Sequence, residues 1–352
     1  MKKLFAVLTA SAFALSLAAC SAPSSGSEAS TASDSAAQSG SLGTSETSSA
    51  EGASYRIAIV QQMDHTSLDQ IRSAIEAELD ARAAADGITV EYQEFNGQND
   101  ATMLNQIGTQ VVSDGYDAII PIASLAAQCM VTAADGDIPV IYAAISDPAT
   151  AGLTDLPNVT GTSDALDTNM IMDMMFTIDP EIQTVGLLYS NSEPNSETPI
   201  AEAKAYLDDK GIRYVEATGN TTDEVLTAVT SLTDQVDAVF TPTDNVIMGA
   251  AGAVAETLTD AGIPFYTGAD SFVTAGAFAT CGVNYDDLGA TTADIALDAL
   301  ESGTVPTDYH VMEGGIITVN TETAAALDID YSAFQDMAKS VVEVTTAADT
   351  AE

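Results

Sequence analysis

The chain has 352 residues, of which 46% are hydrophobic and 17% charged, a composition typical of a folded protein rather than an acidic disordered one. Acidic residues outnumber basic ones by 52 to 9, and the formal net charge is -43. Nine scattered cations cannot form a basic patch, which excludes nucleic acids and anionic lipid headgroups as partners. Most of the acids are expected to form a solvated surface, and the length allows two domains.

The N-terminus has the pattern of a secretory signal. Lys2 and Lys3 precede an apolar run from Leu4 to Leu17 that is too short for an ordinary membrane span. The run ends in Leu17-Ala18-Ala19-Cys20, which resembles the lipobox of bacterial lipoproteins and implies a lipid on the thiol of Cys20. An ordinary signal peptide followed by a chance cysteine is the alternative. Residues 21–54, rich in Ser, Ala, Gly and Thr, are predicted to be a flexible tether. We therefore expect an extracytoplasmic protein held at the cell membrane by a lipid anchor.

From residue 55 onward, short apolar strands alternate with helical patterns. The first set of predicted strands covers 56–60, 88–92, 118–122 and 139–142, and the helix between the first two carries Leu68, Ile71, Ile75 and Leu79 on one face. The second set covers 184–189, 212–215, 238–240 and 263–266, with helices predicted near 199–210, 223–232 and 246–261. Gly87 and Gly211 take equivalent places as left-handed helix caps in the two sets. The pattern predicts an α/β fold of two doubly wound parallel-sheet lobes with a ligand cleft between them.

Ligands of parallel sheets bind beyond the carboxyl ends of the strands, so the loops there define the candidate site. These loops are rich in Ser, Thr, Asn and Asp, each of which could instead be a simple helix cap. The candidate ligand-binding residues are Gln62, His65, Ser124, Ser146, Asp147, Ser163, Asn195, Ser196, Thr243, Asp244, Asn245 and Asp270.

Several short motifs occur in order between residues 55 and 320. They are Ile59-Val60-Gln61 with His65 and Leu68-Asp69; Ser124 to Gln128; Ser146-Asp147-Pro148 with Ala151-Gly152-Leu153; Asn158 to Gly161 with Ser163-Asp164; Glu193 to Ser196; Pro242 to Asn245; and Gly268 to Ser271 with Gly276-Ala277. Together they resemble the substrate-binding lipoproteins of ABC importers with the type I periplasmic-binding fold, most of all the branch associated with tryptophan or tyrosine uptake. The chain departs from that branch in lacking Trp and in having an acid-rich loop at residues 191–198. The identity of the ligand therefore stays open.

The resemblance implies a first lobe of residues 55–162 and 284–312, a second lobe of 163–283 and 313–345, and a tail of 346–352. It also implies that the lobes close over a small ligand and deliver it to the permease subunits of an ABC importer. We expect no cofactor.

The cations point to the charge of the ligand. None of Arg56, Arg72, Arg82, Lys204, Lys210, Arg213 and Lys339 falls in a cleft loop. The acids Asp64, Asp147, Asp164, Glu193, Asp244 and Asp270 could each face the cleft. We hypothesise that Ser124 and the amides of its helix N-terminus hold a carboxylate, while Asp270 or Asp244 pairs with an ammonium group. A zwitterionic amino acid presents both groups, and Phe272 and Tyr285 are candidates for its side-chain pocket.

Other functions are less well supported. The catalytic motifs Gly-x-Ser-x-Gly, Gly-x-x-x-x-Gly-Lys and His-Glu-x-x-His are missing, and with only His65 and His310 we expect neither an enzyme nor a metal site. A sugar-binding, nucleoside-binding or sensory lipoprotein of the same fold is the alternative. A lactose-repressor-like regulator would begin with a DNA-binding head. A disulfide between Cys129 and Cys281 is possible, but two buried free thiols fit better.

Overall fold

The computed structural model describes residues 52–347. The predicted signal segment, Cys20, almost all of the predicted tether and residues 348–352 lie outside this range. The first stretch contains β1 (Ser54–Gln61), α1 (Thr66–Asp86), β2 (Thr89–Asn96), α2 (Ala101–Asp114), β3 (Ala118–Ile122), α3 (Ser124–Ala134), β4 (Val140–Tyr142) and β5 (Val159–Ser163).

The second stretch contains α4 (Thr168–Ile178), β6 (Thr184–Tyr189), a 3₁₀ helix (Pro194–Ser196), α5 (Glu197–Lys210), β7 (Arg213–Thr218), α6 (Thr222–Leu232), β8 (Ala238–Thr241), α7 (Asn245–Met248), α8 (Ala251–Asp260), β9 (Phe265–Thr267), α9 (Asp270–Thr274) and β10 (Ala279–Gly282). The last stretch contains α10 (Tyr285–Ser302), β11 (His310–Val311), β12 (Ile316–Asn320), α11 (Thr321–Ala326), a 3₁₀ helix (Ser332–Asp336) and β13 (Ser340–Val344).

The strands form two sheets. The first has the order β11-β5-β4-β3-β1-β2 with every pair parallel, and the second has the order β13-β12-β10-β9-β8-β6-β7 with only β10 and β12 antiparallel. The chain passes between the sheets after β5, after β10 and after β11. The order 2-1-3-4-5 at the centre of the first sheet is that of a doubly wound fold, and 7-6-8-9-10 repeats it in the second. The predicted α/β class with two lobes is confirmed.

Both faces of the first sheet are covered by helices. Ile57 and Ile59 pack on one face with residues of α1 and α10, whereas Ala58 and Val60 pack on the other with residues of α2 and α3. Successive side chains of a strand point to opposite faces, so a continuous apolar run is what a strand buried on both sides requires. The left-handed caps predicted at Gly87 and Gly211 are present, with φ of 68° and 69°.

The single helix predicted over 246–261 is wrong, because the chain breaks there into α7 and α8. Ala250, with φ -122° and ψ 8°, is outside helical geometry and follows Gly249, a residue of low helix propensity. The break leaves α7 as a short helix next to the cleft. No helix within residues 52–347 combines the length and apolarity needed to cross a bilayer.

Candidate functional site

A cavity lies where the loops after the strands of both sheets meet. Its lining combines acids, hydroxyls and amides with aliphatic and aromatic side chains from both lobes. The lining residues are His65, Ser67, Leu68, Ile71, Ala123, Ser124, Ala144, Ser146, Asp164, Asn195, Thr243, Asp244, Asn245, Met248, Ala269, Phe272 and Tyr285.

On the first lobe, the side chain of Gln62 joins the start of α3 to the second lobe. Ala123, with φ 75°, turns the chain from β3 into α3 and brings Ser124, which is buried, into the cavity wall. The N–H of Leu125 donates to Gln62 Oε1 at 3.0 Å, and Gln62 Nε2 donates to Glu193 Oε1 at 3.0 Å. Because a backbone N–H can only donate, it fixes which end of the Gln62 amide is oxygen. One amide of the first turn of α3 is therefore already engaged.

On the second lobe, Asp244 organises the loops around α7. Its Oδ1 accepts from the Ile247 N–H at 3.0 Å, which caps the helix. Its Oδ2 accepts from the Ser190 N–H and from the Ser196 hydroxyl, both at 2.7 Å. These donors hold together the loop after β6 and the loop after β8, so Asp244 has a structural function as well as a place in the cavity wall.

Asn195 is a buried amide with one unused acceptor. Its Nδ2 donates to the carbonyl oxygen of Thr243, whereas its Oδ1 is buried and has no partner. The Thr243 hydroxyl lies 3.0 Å from the hydroxyl of Ser146 on the first lobe. A ligand that donates a hydrogen bond to Asn195 Oδ1 would satisfy the unpaired atom.

The two lobes contact each other directly around the cavity. The polar side-chain pairs that span them include Gln62 with Glu193 at 3.0 Å, His65 with Asn245 at 2.9 Å, Ser146 with Thr243 at 3.0 Å, Asp147 with Thr198 at 2.7 Å, and Ser67 with Ser271. The structure therefore has the lobes closed on the cavity, and entry of a ligand requires these contacts to separate.

Three buried carboxyl groups lie in or behind the cavity wall, and burial raises the pKa of each of them. Asp164 accepts from the Ser146 hydroxyl at 3.0 Å and from the Tyr285 hydroxyl at 3.3 Å, and burial raises its pKa. Burial, and then the charge of Asp244, raise the pKa of Glu193 to about 8. Burial also raises the pKa of Asp244, against the effect of its N–H and hydroxyl donors.

Four of the seven described cations form ion pairs away from the cavity. Among residues 52–347, the ion pairs join Arg72 to Glu76 and Glu94, Arg82 to Asp86, Asp294, Asp298 and Glu301, Lys204 to Glu216, and Lys339 to Glu313. None of these acids lines the cavity. Within the same range, no group of three or more His, Cys, Asp or Glu has the arrangement of a metal site. The cavity thus combines buried acids with hydrogen-bond donors and with no counter-cation.

His65 contributes a neutral imidazole to the cavity wall. Burial lowers the pKa of His65, outweighing its hydrogen bond to Asn245 and the nearby Asp69 and Asp64. Its Nε2 lies 2.9 Å from Asn245 Oδ1, and its Nδ1 is buried without a partner.

The twelve predicted site residues divide into two groups. Those that line the cavity are His65, Ser124, Ser146, Asn195, Thr243, Asp244 and Asn245. Those outside the lining are Gln62, Asp147, Ser163, Ser196 and Asp270. Gln62 and Ser196 support lining residues through the bonds described above, and Asp147 bonds Thr150 and Thr198. The Ser163 hydroxyl donates to the Ser146 carbonyl at 3.3 Å.

Asp270 starts α9, and its Oδ1 is buried without a hydrogen-bond partner. Burial raises the pKa of Asp270. The pKa of Tyr285 is also raised, first by burial, then by the charge of Asp164 and then by that of Asp270. Asp270 lies near the cavity wall without being part of the lining. The two predicted aromatic candidates, Phe272 and Tyr285, both belong to the lining.

Sequence reasoning missed part of the apolar wall. Ser67, Leu68 and Ile71 come from the first turns of α1, and Met248 comes from α7. Leu68 and Ile71 were assigned to the core face of α1, where they do pack, but that face also reaches the cavity. The signal that could have identified them is their position at the start of α1, directly after the loop that follows β1.

A family model described as "ABC transporter substrate binding protein" matches residues 56–342. A tyrosine-binding protein of Clostridioides difficile is 31% identical over 281 residues, which cover 78% of this chain and 81% of that protein.

Two solved structures bear on the closed arrangement of the lobes. An ABC domain of Streptococcus pneumoniae in complex with L-Trp has a TM-score of 0.76 at 30% identity, covering 82% of this chain and all of that one. The ligand-free, open form of a substrate-binding protein with adhesive properties from Clostridium difficile has a TM-score of 0.63 at 29% identity, covering 83% of this chain and all of that one. The higher score belongs to the ligand complex, in agreement with the direct contacts between the lobes.

Proposed function

Since this chain belongs to the ABC transporter substrate-binding protein family, we propose that it captures a small zwitterionic ligand, an aromatic amino acid, by closure of its two lobes. It then delivers this ligand to the permease subunits of an ABC importer. The observation that carries the proposal is the lining of the cavity, which holds the buried carboxyls of Asp164 and Asp244, hydroxyls and amides, and an apolar side with Phe272, and has no cation.

This lining suits an amino acid group by group. Asp244 and Asp164 can receive the ammonium, because each is an acceptor in the wall and a charge-assisted bond there is stronger than one in water. The Ser124 hydroxyl at the start of α3 can donate to the carboxylate. Leu68, Ile71 and Phe272 supply the apolar surface for a large side chain. The relatives support this class of ligand, since one is named for tyrosine and another is solved with L-Trp.

The location of the protein follows from the same proposal. A substrate-binding protein works outside the cytoplasm, where its permease presents the entrance. The N-terminal resemblance to a lipobox fits this location, with Cys20 as the lipid attachment point. Mass spectrometry of the protein extracted from its native membrane tests the anchor: a lipid on Cys20 is expected, and an intact N-terminus or a cut at another residue would contradict it.

Binding of a panel of compounds to the purified protein tests the ligand class. Thermal unfolding is followed with tyrosine, tryptophan and phenylalanine, with nucleosides and with hexoses. Because a ligand that binds only the folded state raises the midpoint, a response to the aromatic amino acids alone is expected. The variant Asp164→Asn should lose most of this response, whereas Asp287→Asn, on the exposed first turn of α10, should keep it.

A nucleoside is the second candidate, because Phe272 and Tyr285 both line the cavity and an aromatic ring can stack on a base. A midpoint shift with nucleosides and none with amino acids would replace the first proposal by this one. A response of Asp164→Asn as large as that of wild type and of Asp287→Asn would instead show that the buried carboxyl does not contribute to recognition.

A further inference from the structure

Two acids of the cavity wall, Asp164 and Asp244, and Glu193 behind the wall lack the positive partner that buried charges normally have. Asp164, Glu193 and Asp244 are at most 5% exposed, and none of the ion pairs formed within residues 52–347 includes them. Keeping buried carboxylates ionised without a counter-cation costs several kcal/mol per charge, and the neighbouring charges of Glu193 and Asp244 also repel each other. Protonation of one or more of them removes that cost.

The geometry indicates which carboxyl is ionised. Asp244 accepts from two backbone N–H groups and one hydroxyl, those of Ser190, Ile247 and Ser196. Such a set of donors favours the carboxylate form. Glu193 also accepts hydrogen bonds, from Gln62 and from the side chain and backbone of Asn245, but burial and the charge of Asp244 outweigh them and raise its pKa. Glu193 is the neighbour that experiences this negative charge at close range, and it is itself 3% exposed.

Glu193 has the surroundings that its protonated form needs. Its Oε2 lies 2.6 Å from the side-chain amide of Asn245, within hydrogen-bond distance. The oxygen and nitrogen of an Asn amide can exchange places without moving any other atom. With the oxygen of Asn245 toward Glu193, a protonated Glu193 donates to it, while the amide nitrogen donates to Nε2 of the neutral His65. Gln62 Nε2 still donates to the other oxygen of Glu193.

A separate atom points to a ligand that carries N–H groups. Asn195 Oδ1 is buried, has no partner, and belongs to a residue in the cavity wall that is 6% exposed. An ammonium has three N–H donors, so it can satisfy Asn195 Oδ1 and still bond a carboxylate of the wall.

Every titratable group around Glu193 is an acid, a phenol or a neutral imidazole. Asp244 acts on it directly, and His65 is linked to it through Asn245. Across the cavity are Asp164 and Tyr285, with Asp270 behind them. Asp64 and Asp69 lie near His65. Asp69 already interacts with the charge of Arg72, whereas Asp164, Glu193 and Asp244 form no ion pair within residues 52–347 and would meet their first cation in the ligand.

Resting on the proposed function, we propose that closure of the lobes on an ammonium-bearing ligand expels a proton from the buried carboxyl set Asp164, Glu193 and Asp244, and chiefly from Glu193. The O–H bond of the acid breaks, its electron pair stays on the carboxylate, and the proton leaves to water. The ammonium supplies a positive charge in place of the departed proton. The carboxylate of the zwitterion adds a negative charge on the Ser124 side of the cavity, so binding makes the closed site one unit more negative overall.

The coupling makes affinity depend on pH in a defined direction. Because binding releases a proton, affinity rises with pH while the unliganded site is protonated, that is up to pH of about 8, by at most about tenfold per pH unit for one proton. Above that pH the affinity levels off.

Two measurements on the purified protein test the proposal. The infrared carbonyl stretch of a protonated carboxylic acid should be present at pH 7 without ligand and should lose intensity in Glu193→Gln, whereas Glu256→Gln, an exposed site on α8, should leave it unchanged. Calorimetry with L-tyrosine and L-tryptophan, in buffers of different ionisation enthalpy, should give release of about one proton per ligand near pH 7. Glu193→Gln should bind with most of this release lost.

The outcomes separate the two proposals. Normal binding with heats that do not depend on the buffer, or the lack of a protonated-acid band, overturns the proton coupling and leaves the proposed function standing. Failure of every ammonium-bearing probe to bind overturns the proposed function and the coupling with it. Proton release that is equal in wild type and Glu193→Gln overturns the assignment to Glu193.

Discussion

Replacing Glu193 with glutamine should stabilise the folded protein, and the gain should grow with pH. The pKa of this carboxyl rises from 4.5 to about 8 on folding because it is buried beside Asp244. A raised folded pKa means that folding favours the protonated form, so the wild type loses stability as pH rises from 4.5 to about 8. Glutamine resembles the protonated acid in shape and has no proton to lose.

The size of the effect follows from the same window. Each pH unit between 4.5 and about 8 costs the wild type on the order of 1 kcal/mol. The free energy of unfolding of Glu193→Gln should therefore exceed that of wild type by about 3 kcal/mol at pH 7 and by less than about 1 kcal/mol at pH 5.

Urea unfolding followed by circular dichroism at pH 5 and at pH 7 measures both differences in the absence of ligand. Glu256→Gln, an exposed glutamate on α8, serves as the matched control and should differ little from wild type at either pH. A Glu193→Gln protein that is no more stable than wild type at pH 7, or that gains equally at both pH values, would refute the assignment of a buried, proton-binding carboxyl.

Three further predictions concern the fold. Gly161→Ala should destabilise the protein by about 3 kcal/mol or more, because its Cβ would lie 2.0 Å from the carbonyl oxygen of Tyr142. Gly303→Ala, at φ 66° in open space, should cost only about 1 kcal/mol. Thermal unfolding would distinguish them, and equal midpoints would contradict the packing around Gly161. Cys129 and Cys281 are free and buried, so both should react with a maleimide only after unfolding, and labelling of the native protein would contradict their burial. Finally, the net charge of -43 should make the unfolding midpoint rise with salt between roughly 0.01 and 1 M, because the Debye length falls from about 30 to about 3 Å and the surface charges repel one another less. A midpoint that does not change with salt would show that this repulsion is too weak to affect stability.

The sequence predicted the sheet architecture because each core strand is a short apolar run with a turn signal at its end. It did not predict β5 (Val159–Ser163) as a strand, since a run of Val, Thr, Gly, Thr and Ser has no hydrophobic signature of its own. This strand is buried by its neighbours, β4 on one side and β11 on the other, so its state depends on tertiary context. Likewise the break between α7 and α8 depends on one backbone turn at Gly249 and Ala250.

The site was predictable to the level of loops and no further. Topology places the carboxyl ends of the strands together, which is why seven of the twelve predicted residues line the cavity. The other five lie outside the lining because of the direction in which their side chains point. Gln62 turns toward the backbone of Leu125, and Asp270 begins α9 next to the wall rather than in it. A pattern of residue types does not encode such directions, because they depend on rotamers and on partners far away in the chain.

The exclusion of cations from the cavity wall also bears on how quickly a ligand is captured. A zwitterion has no net charge, yet it carries a large dipole, and the field of a strongly anionic protein exerts a torque on that dipole before any contact forms. The ligand would reach the cleft with its ammonium end leading, which is the end that the buried carboxyls receive. Orientation during the approach shortens the rotational search after encounter, so the distribution of seven described cations away from the cleft influences the association rate as well as the choice of ligand.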